Sequence, residues 1–199
     1  HVDDTPCGGG AGMVLKPEPI YAAVRDVWAK TAAFAARRCT IIFDPAGKVF
    51  TQQTAKELAS YDQLVLICGH YEGFDQRVYD LADRLISVGD FVLTGGEIPA
   101  MLTVDATARM LPGVLGDDTS APTDSFFDAL LGYPQYTRPR TFEGKEVPEV
   151  LLSGNHAAIA RWRREQSLLA TLRLRPELLP MAKLTTQDLM FLAKQNEIR

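Results

Sequence analysis

Gln63-Leu64-Val65-Leu66-Ile67-Cys68-Gly69-His70-Tyr71-Glu72-Gly73 decides how this chain is to be read. Five consecutive apolar residues closed by a glycine are strand length, and a strand without polar alternation is buried on both faces. Working backwards, residues 39–43 form a second such run, stopped by Asp44-Pro45-Ala46-Gly47. A helix is expected over 19–36, with proline in its first turn and an alanine-rich body, and another over 51–60, capped by Thr51. Working forwards, a helix is expected over 75–82, strand-like runs over 85–88 and 91–93 around Gly89-Asp90, and a helix over 98–111. Strands alternating with helices imply an α/β fold with a parallel sheet covered on both faces. Ligands of such sheets sit outside the carboxyl ends of the strands, here the glycine-bearing loops 44–47, 69–73 and 94–97.

The chain has 199 residues, 46% of them hydrophobic and 23% charged, enough for one large domain or a medium and a small one. No apolar run approaches the roughly 20 residues of a membrane-spanning helix, so no membrane role is expected. Cys7, Cys39 and Cys68 are odd in number without CxxC spacing, which disfavours a disulfide scaffold or structural zinc and suits a reducing cytoplasm. His1, His70 and His156 are too scattered for metal-ligand spacing. The glycines within 8–12 lack the preceding strand and spacing of a dinucleotide fingerprint, and neither a phosphate-binding G-x-x-x-x-G-K-[ST] nor a G-x-S-x-G elbow occurs. Residues 1–18 read as loop. The chain opens on His1 and not on methionine, and His1-Val2-Asp3-Asp4 reads like the interior of a longer protein.

The net charge of −4 argues at first against a nucleic-acid partner, but it is unevenly spread. Residues 1–128 hold ten Lys and Arg against eighteen Asp and Glu, whereas residues 129–199 hold eleven against seven, so an acidic half precedes a basic one. Residues 112–128 read as a flexible linker between a first domain over 1–111 and a helical second domain over 129–199. In the second, a helix over 155–172 is expected to turn Ile159, Trp162 and Leu169 to one side and Arg161 and Arg164 to the other, and Thr185 to cap a last helix. The run Arg161-Trp162-Arg163-Arg164 can be a solvated face or a phosphate-binding cluster with Arg138, Arg140, Arg173 and Arg175. Taken singly, Glu72 can begin a helical turn, Asp124 can cap a helix, and Arg109 can be a snorkelling surface cation.

Several long motifs together resemble one family. They are Val2-Asp3-Asp4-Thr5-Pro6 with Gly8-Gly9-Gly10-Ala11-Gly12-Met13; Cys68-Gly69-His70-Tyr71-Glu72-Gly73-Phe74-Asp75; and Ser87-Val88-Gly89-Asp90-Phe91-Val92-Leu93-Thr94-Gly95-Gly96-Glu97. Asp124-Ser125-Phe126, Tyr136-Thr137-Arg138-Pro139 and the segment 147–156 complete the set. In this order they are similar to the bacterial tRNA (guanine-N1)-methyltransferases, the TrmD type of the SPOUT superfamily, from Val2 to about Leu178.

The resemblance implies a SPOUT fold whose parallel sheet carries a deep trefoil knot, a topology that general rules would not propose. It implies a homodimer, and S-adenosylmethionine held by Pro45, Gly69, Glu72, Val88, Gly89, Asp90, Phe91, Val92, Leu93, Gly95 and Gly96. It implies methylation of N1 of guanosine at tRNA position 37, with Asp124 as general base and Arg109 stabilising charge on the guanine. The basic half would hold the anticodon arm, with Asp4, Arg138, Arg161, Arg163 and Arg164 as candidate RNA contacts. Mg²⁺ dependence is also implied, although no ligand constellation in the sequence would hold the ion. Cys7 and Ala11 stand where the family usually has Tyr and Pro, and His70 where Arg is usual. The family has a further strand and helix before the segment matching Val2. Two alternatives remain at this point: another SPOUT RNA methyltransferase with a different target base, or an inactive, shortened tRNA-binding protein.

Overall fold

Ile41 and Ile42 are neighbours, both fully buried, and they face opposite sides of one strand. Each contributes on the order of 1.5–3 kcal/mol by leaving water. The structure, a computed structural model, describes residues 1–116 and 123–196. Its elements are β1 (Asp3–Asp4), β2 (Val14–Leu15), α1 (Pro17–Thr31), β3 (Arg38–Val49), α2 (Gln52–Leu58), β4 (Gln63–Ile67), a 3₁₀ helix (Gln76–Leu81), β5 (Arg84–Ser87) and α3 (Glu97–Ala108). Then come β6 (Thr141–Phe142), β7 (Lys145–Glu146), α4 (Glu149–Leu152), α5 (His156–Leu174), a second 3₁₀ helix (Pro176–Met181) and α6 (Thr186–Asn196). The chain divides into two compact units, His1–Gly116 and Asp117–Arg199. Part of the expected linker, residues 117–122, lies outside the described residues.

In the first unit β3 is central in a parallel sheet of order β4-β3-β5. Ile42, Val24, Ile67, Val78 and Leu81 form the core on one side, where α1 and the 3₁₀ helix pack. Cys39, Ile41, Leu58 and Ile86 form the other, beneath α2. Thr51 begins α2 as expected, its hydroxyl accepting from the Thr54 amide at 3.3 Å.

Three local expectations need correction. Asp44-Pro45-Ala46-Gly47 does not stop β3, which continues to Val49. Phe43 and Lys48 both face Ile86, so four residues bulge out of the strand between them. Residues 91–93 form no strand: Gly89 turns the chain at φ 140°, and Val92 is 88% exposed. The opening segment is not merely loop. Asp3 pairs with Leu15 and Asp4 with Val14, and this ribbon leans on the segment 72–75 through Leu15 N to Gly73 O at 2.9 Å and Glu72 N to Met13 O at 3.0 Å.

In the second unit Leu130, Leu168 and Leu192 form the core. Thr171 is fully buried and doubly satisfied, donating to Ser167 O at 2.7 Å and accepting from Leu131 N at 2.9 Å. Thr185 and Asp188 cap α6 reciprocally, each side chain accepting from the other's amide.

Candidate active site

Three loops meet in a cleft of about 240 Å³ at the carboxyl end of the sheet: the bulge of β3, the loop after β4 and the loop after β5. Gly47 is required because a Cβ there would lie 2.5 Å from Ile86 N. Gly96 N donates to Gly69 O at 2.9 Å, tying two of the loops, and a Cβ on Gly96 would lie 2.7 Å from Cys68 Cα. Ser87 Oγ accepts from Gly89 N at 3.1 Å and so holds the turn that begins the third loop.

Among the described residues, Asp44 and Glu72 are the carboxylates lining this cleft, and His70 lines it with them. Tyr79 donates to Asp44 Oδ2 at 2.5 Å, and burial together with that carboxylate pushes the phenol up to about 12. Asp44 Oδ1 also accepts from Ala46 N at 2.8 Å, which shapes the bulge as an Asx turn. His70 Nε2 lies 2.7 Å from Glu97 Oε1. Glu97 is lowered by its own backbone amide first and by His70 second. Burial raises the Cys68 thiol, and Glu97 adds to the effect, a shift toward the protonated form and away from that of an activated nucleophile.

All the residues expected around the cofactor line this cleft except Asp90. Arg109 is the half-buried residue that ends α3. Asp124 lies in the second unit and is exposed, beside a turn in which Ser125 Oγ accepts from Gly132 N at 2.8 Å and Phe126 N donates to Leu130 O at 2.7 Å. Asp4 is exposed on β1 and accepts from Thr5 N at 2.8 Å.

Arg161 and Arg164 do not share a side of α5. Arg161 is exposed and pairs with Glu165 at 2.9 Å. Arg164 precedes Leu168 and Thr171 by one and two turns, so it lies on the core face, where it holds Asp188 at 2.9 Å and Lys183 O at 3.0 Å. Ile159 and Trp162 are half-buried beside Tyr136 and Arg138, whereas the buried stripe of α5 is Ser167, Leu168 and Thr171. Arg163 stacks over Tyr133 at 4.9 Å.

Reading the sequence placed Asp44 in a ligand loop without giving it a role, and missed Phe43, Phe74 and Tyr79 as cleft residues. The Asp-Pro-x-Gly turn signal pointed to Asp44, but the rings come from positions that looked purely structural. Among the described residues, no group of three or more His, Cys, Asp or Glu is arranged to hold a metal ion.

The sequence model of the family described as tRNA (Guanine-1)-methyltransferase TrmD matches residues 1–181. Similar proteins called tRNA (guanine-N(1)-)-methyltransferase include that of Desulfitobacterium hafniense, 54% identical over 188 residues that cover 94% of this chain and 70% of the relative. That of Lacticaseibacillus paracasei is 53% identical over 199 residues, covering 99% and 77%, and that of Moorella thermoacetica is 55% identical over 193, covering 96% and 76%. With three loops meeting in one cleft and likeness running along nearly its whole length, the chain belongs to the TrmD family of tRNA (guanine-N1)-methyltransferases.

Proposed function

We propose that this chain methylates N1 of guanosine at tRNA position 37, beside the anticodon, using S-adenosylmethionine. One observation carries the reading: in a chain of this family, the three glycine-bearing loops converge on a single cleft. The cofactor fits the donor set of that cleft. Phe43, Phe74 and Phe91 offer apolar walls, the loops offer backbone amides and carbonyls, and Asp44 and Glu72 offer negative charge to a cation. Pro45, Gly69, Val88, Gly89, Phe91, Val92, Leu93, Gly95 and Gly96 would hold it. Bound there, S-adenosylmethionine supplies a methyl group activated by its sulfonium centre.

The chain's own residues supply the rest. Neutral guanine has no in-plane lone pair at N1 until the proton leaves, so a base must accept it, and Asp124 is assigned that role. A carboxylate is a weak base for so weak an acid. Negative charge that develops on O6 therefore needs a cation, the role assigned to Arg109. Arg138, Arg161 and Arg163 would meet RNA phosphates, while Arg164 would act mainly by holding α6 through Asp188. Asp4 remains a candidate RNA contact.

The homodimer belongs to the same reading. Ile98 is 63% exposed and Met101 72% exposed on α3, an apolar face suited to a second copy. So do the trefoil knot of the SPOUT fold and a cytoplasmic location, where tRNA is found. The described residues offer no ligand cluster for Mg²⁺, and no step above uses one.

Methyl transfer from labelled S-adenosylmethionine to tRNA transcripts varied at position 37 tests the reading. Incorporation only with guanosine there supports it, and transfer indifferent to that base overturns it.

A further inference from the structure

A cleft of about 410 Å³ opens in the second unit between the segment 133–138 and the first turns of α5, within the roughly 300–1,000 Å³ range of small-ligand sites. Tyr136 and Trp162 stand in it with ring centroids 6.3 Å apart and planes inclined by 56°. Val147, Leu151 and Ile159 complete an apolar lining. Tyr136 is 48% exposed, so the ring remains accessible to a planar guest. Arg138 and Arg163 line the same cleft, and among the described residues neither pairs with a carboxylate, whereas Arg161, Arg164 and Arg175 each hold one. The third guanidinium, on Arg140, meets Glu149 at only 3.6 Å with both groups largely exposed.

Accessible aromatic rings beside uncompensated guanidiniums are the combination that single-stranded RNA uses: bases stack on the rings and phosphates meet the cations. An apolar peptide would leave the arginines unmatched. We propose that this cleft stacks one unpaired base of the RNA substrate, other than the methylated guanosine, with Arg138 and Arg163 on its flanking phosphates. The inference rests on the tRNA reading above and adds a second base contact to it.

The test uses the full chain and an anticodon stem-loop RNA, intact or with one loop base at a time replaced by an abasic nucleotide. The intact RNA should quench tryptophan emission, and Trp162→Phe should remove that quench while Trp28 remains. One abasic position should weaken binding about tenfold, Tyr136→Ala should do the same, and the two together should cost no more than either alone. Tyr136→Phe, which keeps the ring, should bind like the unaltered chain, and Arg138→Ala should lower the slope of affinity against salt by about one phosphate contact. Equal binding of every abasic RNA, or full affinity in Tyr136→Ala, overturns the inference while methylation by the unaltered chain stands. An unaltered chain that neither binds nor methylates tRNA overturns the reading beneath it.

Discussion

In the first unit the loops around the cleft depend on close backbone approaches, with Gly47 and Gly96 each leaving no room for a Cβ, and the rings of Phe43, Phe74 and Phe91 line it; in the second the cleft is walled by Tyr136, Trp162 and arginines. The two materials fail differently. A backbone cleft tolerates loss of a side chain but not the gain of a methyl group, because the atom in the way is another backbone. A side-chain cleft survives small additions but loses its contacts when a ring or guanidinium is truncated. The charges follow the same division, since an acidic cleft suits a cation and a basic one suits phosphate.

The sharpest way to separate the two units is Asp124→Ala. Methyl transfer should fall by about 10²–10⁴-fold, while calorimetry with S-adenosylmethionine should register binding nearly unchanged. An equal loss of both would make Asp124 a structural residue and erase the division of labour.

Gly47→Ala attacks the first unit where two backbones touch. Denaturant unfolding should show a loss of about 3 kcal/mol, because the bulge and the pairing with Ile86 cannot both accommodate the methyl. Gly116, where a Cβ would meet nothing within 4 Å, is the control, and Gly116→Ala should leave the midpoint unmoved.

Arg164→Ala should cost the second unit about 2 kcal/mol, since Asp188 is buried and would lose its charged partner. Asp188 is held below the usual carboxylate range by Arg164 first and Thr185 next. A depressed carboxylate contributes stability above its unfolded value, about 3.9, and loses it as pH falls toward the folded value. The first unit has a counterpart in Asp75, lowered to about 2 by its hydrogen bonds to Arg77. Acid titration followed by circular dichroism should therefore move the second unit's transition to higher pH in Arg164→Ala and leave that of the first unit in place. A common shift of both would show that the units do not unfold independently.

Arg161→Ala is the mildest change. Its pair with Glu165 is one exposed turn of helix, so stability should change by less than about 0.5 kcal/mol. A larger loss would mean that the two faces of α5 are less distinct than their burial indicates.

Local signals made much of this legible. The run at 39–43 lies in β3, all of 63–68 but Cys68 forms β4, and the threonine caps at 51 and 185 begin α2 and α6. Such features depend on neighbours in the chain. The misreadings arose where a distant partner decided the outcome. Asp44 to Gly47 looked like a strand stop because nothing nearby shows that Lys48 resumes pairing with Ile86. Residues 91–93 have strand composition but pair with no strand among the described residues. Arg164 looked solvated until α6 brought Asp188 to it, although the spacing to Leu168 and Thr171 already marked the inner face.

Most glycine-bearing positions of the cleft followed from motif and strand order, because glycine and short apolar runs have the same local consequences in any fold. Which loops meet, which rings join them and which arginine is spent on an internal carboxylate were settled by packing. Those outcomes hang on contacts between residues tens of positions apart, such as Tyr79 with Asp44 and Arg164 with Asp188, whose energies exist only once the chain has closed on itself.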